Sequence, residues 1–288
     1  MEQTKLGFSL LLYELSGLMK HLRLHKQANL GKRLLSLLLR NGISVKVDDL
    51  YMFGSIEQNS YLHAWRNGLV EPFMVELMKE LIRPGMVVLD LGANLGYYTL
   101  LAAQQVGATG KVYAFEPDPR NYSCLVRGIQ RNGFSARVTA IPKAVSDNIG
   151  TATFLLNTTR PTNSSMFLSP GKIKRVEVDC TTVDDFIEDM VVVDVIKMHI
   201  EGAEYHALKG MERTIERASN NLVMFIAVQP RQLQAACSSA KALIERLEEL
   251  GFTVMLIDEQ NQRLSSIESD IEVVKFVNLY CSRCKKAH

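Results

Sequence analysis

The stretch "VVLDLGANLGYYTLLAA", residues 87–103, decides how this chain is read. An apolar run ends in Asp90, turns through Gly92 and Gly96, and continues into a helical pattern. A strand, a glycine turn and a helix either border a ligand crevice in an open α/β sheet or simply turn a corner. A dinucleotide fingerprint needs G-x-G-x-x-G so that backbone amides reach a pyrophosphate. Here the spacing is G-x-x-x-G, and Asp90 sits where a phosphate would be repelled. A carboxylate beside a glycine-lined turn suits a ligand with a cationic end. Gly92 and Gly96 permit the tight turn and close backbone approach, and Asn94 offers hydrogen bonds either way. The competing reading is that Asp90 only caps the following helix.

Around this stretch, apolar runs of strand length recur at "MVVLDL", "KVYAFE", "RVTAIP", "VVDVIKMHI", "NLVMFIAVQ", "FTVMLID" and "VVKFVNLYC". Helical patterns separate most of them, "LIERLEEL" among the clearest, and "FMVELMKELI" places Phe73, Met74, Leu77, Met78, Leu81 and Ile82 on one stripe. Near-continuous apolar strands alternating with helices predict a mainly parallel, doubly wound α/β sheet covered on both faces. Residues 151–183 break the alternation. There "TATFLL" and "RVEVDC" flank a polar loop and read as an inserted hairpin.

In such a sheet the ligand sits beyond the carboxyl ends of the strands, so strand-ending residues matter most. The second strand ends in Glu116, 24 residues beyond Gly92, at about the interval where a ribose-bearing ligand is gripped through both hydroxyls. Two acids at adjacent strand ends point to a sulfonium nucleoside, S-adenosyl-L-methionine. Pro117 and Pro119 stop the strand, and Asp118 either faces the adenine or starts the next helix. Ala144, Val145 and Ser146 in "KAVSDN" form a small-residue turn that borders the adenine or is a plain loop.

"VVLDLGANLGYYTLLAA", "GKVYAFEPDPRNY", "VDDF" and "IKMHIEGAEYHALKGM", in this order and at these separations, resemble the FkbM-type family of S-adenosylmethionine-dependent methyltransferases. The resemblance covers approximately residues 68–260, and the pairing of "FEPDP" with K-x-x-x-EGAE is its most specific part. It implies a Rossmann-like class I methyltransferase fold with a seven-stranded sheet whose last strand is antiparallel, and methyl transfer commonly to a hydroxyl oxygen. The expected cofactor contacts are Asp90, Gly92, Ala93, Asn94, Gly96, Tyr98, Thr99, Glu116, Pro117, Asp118, Ala144 and Val145. Tyr97 and Tyr98 are read as covering the cofactor, one of them as core.

At the expected reacting centre the chain departs from the family. Where the family shows K-I-D-V-E-G-A-E, this chain has His199 in place of the Asp. Methyl transfer needs acceptor, methyl and sulfur aligned and a hydroxyl proton removed. A histidine at a strand end can serve as that base. His199, Glu201 and Lys197 are the catalytic candidates; Lys197 orients a carboxylate or an acceptor oxygen, or only snorkels outward. If the family Asp helps hold a metal, His199 is a ligand of altered preference, and metal dependence is left open. Glu204, Gln229, Ser164 and Ser165 are the substrate candidates, with Asn163 beside them in a loop that lids the pocket or is plain surface. Glu201 and Glu204 also suit a helix start.

The leading function is O-methylation of a small-molecule or glycan hydroxyl; the alternative is a cofactor-binding regulatory or scaffold protein that has lost turnover through His199. A nucleic-acid substrate is disfavoured, since the chain has neither an N-P-P-Y-like turn nor a basic, aromatic-interleaved stretch. Lys plus Arg number 33 against 31 Asp plus Glu, so no global field attracts nucleic acid. At 288 residues and 47% hydrophobic the chain buries a full core.

Residues 1–67 are read as an extension, leucine-rich and helical to Gly42 and then short strands and turns, with residues 68–288 as the methyltransferase domain. The extension is locally basic, and its apolar clusters fall short of the roughly 18 residues a membrane span needs. It is read as a peripheral membrane contact, a homodimer surface or a cap on its own domain, in a cytoplasmic protein. The five cysteines do not form a secreted disulfide framework. Cys281, Cys284 and His288 have zinc-compatible spacing, but in a polar chain end that reads first as a frayed tail.

Overall fold

The computed structural model describes residues 42–55, 58–157, 164–167, 172–267 and 271–283. The leucine-rich part of the extension, Asn163, Cys284 and His288 lie outside the described residues, and with them the membrane, dimer and zinc expectations.

The described chain opens with a hairpin, β1 (Ile43–Val47) and β2 (Leu50–Gly54), followed by helices α1 (Asn59–Arg66) and α2 (Pro72–Leu81). Alternation then begins: β3 (Val87–Leu91), α3 (Tyr97–Gln105), β4 (Lys111–Phe115), α4 (Pro119–Arg131) and β5 (Val138–Ile141). The insert comprises β6 (Ala144–Val145), β7 (Gly150–Asn157) and β8 (Ile173–Thr181), with β7 antiparallel and β6 parallel to β8. The chain continues through α5 (Val183–Phe186), β9 (Val195–Met198), α6 (Glu204–Lys209), α7 (Glu212–Arg217) and β10 (Val223–Val228). It closes with α8 (Pro230–Ala235), α9 (Ala240–Glu249), β11 (Thr253–Asp258), β12 (Arg263–Ser265) and β13 (Val277–Ser282).

The main sheet runs β12-β11-β13-β10-β9-β3-β4-β5. It has eight strands rather than the seven expected. The addition is β12, a three-residue edge strand that folds back antiparallel on β11. β13 inserts antiparallel between β10 and β11, as the antiparallel last strand requires. β13 also starts later than its apolar run suggests, because Ile271–Val273 form a 3₁₀ turn first.

Every residue of β9 and β10 is buried, so their sequences show no polar alternation. On α2, Met74, Val75 and Met78 are buried, as is Ile82 just beyond its end, and Phe73, Leu77 and Leu81 are partly covered, the expected stripe widened by Val75. The β1–β2 hairpin and α1 share one core with α2, α3 and part of the sheet through Val45, Met52, Leu62 and Trp65. No helix among the described residues is long and apolar enough to cross a membrane.

From β3 the chain proceeds outward through β4 to β5, then returns to lay β9 on the other side of β3. The strand order therefore reverses between β3 and β9. Their carboxyl ends, Asp90–Leu91 and Lys197–Met198, face each other in register at this switch point.

Candidate active site

A cavity of about 900 Å³, including its open mouth, lies beyond these strand ends. Gly92 is part of its lining. Gly92 adopts φ +83°, and a Cβ there would collide with the carbonyl oxygen of His199 and lie 2.9 Å from its carbonyl carbon. The β3 turn therefore rests on β9 with no space for a side chain. Three non-glycine residues on the wall, Glu71, Asn94 and Glu201, also hold left-handed backbone at φ 47°, 53° and 53°. Such strain gathers where a site demands a particular chain path.

Glu116, on the wall and buried, ends β4. Its Oε2 accepts the Asn94 N–H at 2.7 Å and its Oε1 accepts the Asp118 N–H at 2.8 Å. The Asn121 side chain hydrogen-bonds it as well, and the carboxylate's remaining acceptor capacity is what it can offer a hydroxyl. Burial pushes its pKa up to about 7. Phe115, Pro117, Ala144, Val145 and Phe154 give the same cavity apolar lining. Ala144 and Val145 thus border the cavity as strand β6 rather than as a turn.

Asp118 takes the helix-start role. Its side chain accepts the Arg120 N–H at 2.9 Å as the N-cap of α4 and pairs with the Arg120 guanidinium. Gly96 begins α3 at φ +93°, close against Leu125.

Asp90 does not line the cavity. It is 1% exposed; its Oδ2 accepts the Thr99 hydroxyl at 2.6 Å and its Oδ1 lies 3.3 Å from Lys197 Nζ. Lys197 also donates to the Gly92 carbonyl at 3.2 Å, and its Nζ lies 5.1 Å from the centre of the Tyr98 ring. Lys197 thus orients a carboxylate, that of Asp90. Thr99 supports the same buried pair from α3.

At the β9 end His199 Nε2 stands 3.3 Å from Glu201 Oε1, without a well-aligned hydrogen bond. Burial of the ring works to lower the His199 pKa, but the contact and charge of Glu201 outweigh it and the net shift is upward. Gln229 donates to Glu201 Oε2 at 2.9 Å and Gln232 donates to the same oxygen at 3.3 Å. These two amides leave Oε1 directed at the histidine. Gln229 therefore contacts Glu201 and is not on the wall.

Glu204 is buried behind the turn, its oxygens accepting the Ile200 N–H at 3.0 Å and the Gly202 N–H at 2.9 Å. Burial pushes its pKa to about 7. Ser164 reaches the wall, and its hydroxyl donates to Asp118 Oδ2 at 3.2 Å. The buried Ser165 hydroxyl donates to the Glu201 carbonyl at 2.8 Å, tying the insert to the site.

The wall also includes Met52, Tyr61, Trp65, Glu71 and Lys143, which sequence reasoning did not single out. Trp65 packs on Tyr97 with ring centroids 3.8 Å apart, and Tyr98 meets Trp65 edge-on at 5.3 Å. Both tyrosines are buried and both reach the cavity. Glu71 directly precedes Pro72, a helix-start signal, which was the only hint of its position. Among the described residues no group of three or more His, Cys, Asp or Glu is placed to hold a metal ion.

The family model described as "Methyltransferase FkbM domain" matches residues 90–254. Among curated proteins, methyltransferase sdnD of Sordaria araneosa is 23% identical over 168 residues, 48% of this chain and 64% of that protein. The 31-O-demethyl-FK506 methyltransferase FkbM of Streptomyces tacrolimicus is 41% identical over 70 residues, 24% of this chain and 25% of that one. The chain thus spans less than two thirds of the length of these relatives. Among solved structures, a SAM-dependent O-methyltransferase from Thermotoga maritima aligns over 85% of this chain and 86% of that one, at 11% identity and a TM-score of 0.46.

Proposed function

The chain belongs to the FkbM family of methyltransferase domains, and from that premise we propose that it transfers a methyl group from S-adenosyl-L-methionine to a hydroxyl oxygen of a small-molecule or glycan acceptor. The observation that carries this reading is one cavity with a buried strand-end carboxylate, Glu116, on its wall and a histidine–carboxylate pair, His199 and Glu201, also on it. The residues present fit the cofactor: Glu116 would accept a ribose hydroxyl, and the apolar side chains of Pro117 and Val145 would border the adenine. When bound, the cofactor supplies an activated methyl on a sulfonium leaving group.

The protein's work is alignment and proton removal. His199 lies on the cavity wall and its buried Nε2 faces Glu201 Oε1, so the opposite ring nitrogen, Nδ1, is the one that would accept the acceptor's hydroxyl proton. Glu201, held by Gln229 and Gln232, then stabilises the imidazolium. Because Glu201 raises the histidine pKa, the base form dominates only above the usual value of about 6.5. The rate is expected to rise with pH through that raised value.

The test is methyl transfer from labelled cofactor to a panel of hydroxylated acceptors, with wild type and His199→Asn compared across pH. Transfer whose rising pH limb disappears in His199→Asn supports the assignment. Cofactor binding without transfer to any acceptor would favour a regulatory binding protein. Full activity in His199→Asn would remove the base role.

A further inference from the structure

The usual reading of the glycine turn gives Asp90 the cationic end of the ligand, but in this chain Lys197 holds both Asp90 Oδ1 and the Gly92 carbonyl. Asp90, buried and off the cavity wall, is therefore not available to an ammonium group. The carboxylate that does face the cavity beside Tyr98 is Glu71, in the segment before residue 90.

Glu71 occupies the N-cap position of α2 yet does not cap it. The first free amides of that helix, Phe73 and Met74, donate instead to Glu259 Oε2 and Oε1 at 2.9 and 3.1 Å. Glu71 is thereby released from the usual work of its position. Its backbone is held left-handed, and its carboxylate is fixed by the Tyr98 hydroxyl on Oε2 and by Asn278 Nδ2, 2.6 Å from Oε1. Tyr61, Trp65 and Tyr98 line the cavity with it. A fixed carboxylate among aromatic rings is a subsite for a cation.

We infer that Glu71 is the anion that binds the ammonium group at the amino-acid end of the cofactor, the role Asp90 gives up to Lys197. The inference rests on the methyltransferase reading proposed above. It makes the segment joining α1 to α2 a working part of the site.

The experiment is calorimetry with two probes on wild type, Glu71→Gln and Tyr98→Phe. S-adenosylhomocysteine carries the ammonium and no sulfonium; 5′-methylthioadenosine shares the nucleoside and thioether and lacks the amino-acid end. Glu71→Gln keeps shape, and rotation of the Asn278 amide would offer it Oδ1, which is buried and without a hydrogen bond in the native protein. The expected result in Glu71→Gln is a loss of S-adenosylhomocysteine affinity of roughly tenfold to a hundredfold, with 5′-methylthioadenosine affinity unchanged. Tyr98→Phe, which removes one of the two donors that fix Glu71, should show the same selectivity to a smaller degree. Equal weakening of both probes, or of neither, would overturn the assignment. A wild-type protein that binds neither probe would defeat the methyltransferase reading itself, and this assignment with it.

Discussion

The Lys197–Asp90 pair gives the sharpest quantitative test, because both side chains are buried, 6% and 1% exposed. At 3.3 Å with an effective dielectric of about 20, their attraction is on the order of 5 kcal/mol, offset by several kcal/mol of desolvation for each ion. The pair as a whole is therefore close to neutral for stability, while half of it is not. Lys197→Met leaves Asp90 Oδ1 buried with no hydrogen bond, since only Oδ2 is served by Thr99. The expected loss is about 3–5 kcal/mol, a fall in Tm on the order of 10 °C for a chain of this size. Asp90→Asn combined with Lys197→Met removes both charges and should recover most of that loss. Urea unfolding and thermal melts of wild type, single and double variants measure it. A single variant losing under about 1 kcal/mol, as exposed pairs do, would show that the pair is solvated and that Asp90 is free to meet a ligand. A double variant as unstable as the single one would refute the compensation argument directly.

Other expectations follow from the same geometry. Gly92→Ala must push β9 away from β3 by ~1 Å and is expected to reduce methyl transfer about a hundredfold; activity close to wild type would show the contact to be slack. Burial raises Glu116 and Glu204 to about 7, so the folded protein holds protons that the unfolded chain releases near the ordinary carboxylate value. Their stabilising contribution is present below about pH 4.5 and lost as pH rises through about 7, which melts of the ligand-free protein at a series of pH values would reveal. For the same reason a ribose that prefers the ionised Glu116 expels a proton, and S-adenosylhomocysteine affinity should climb between about pH 6 and 8. Calorimetry on Glu116→Gln should show weaker binding with that pH dependence flattened. Gln232→Leu loosens Glu201 Oε2 and should lower the rate more than the acceptor KM, with the pH profile displaced; an unaltered profile would leave Gln232 a packing residue.

Much was legible along the chain because it depends on neighbours in sequence. The apolar run into Asp90, the glycine turn and the strand-ending Glu116 announced the switch-point crevice, and Gly92, Asn94, Glu116, Ala144 and Val145 do meet on one wall. The insert at residues 151–183 was visible as a break in periodicity, and it folds as β7 and β8. The eighth strand was not visible, because three residues, "RLS", carry too little pattern.

What the sequence by itself determined was the order of strands and helices, the turn between β3 and α3, and the family, since periodicity and glycine placement are local properties of the chain. Only the tertiary structure decided how the charges are shared. Asp90 and Lys197 lie far apart in sequence but side by side on paired strands, so the acid that looked ready for a ligand is neutralised by its neighbour. Glu71, with nothing about it to mark a binding residue, reaches the cavity because Glu259 arrives from the end of β11 to cap its helix. Electrostatic pairing acts through space, and which carboxylate stays open to a ligand is settled only when every competing cation and amide has been placed.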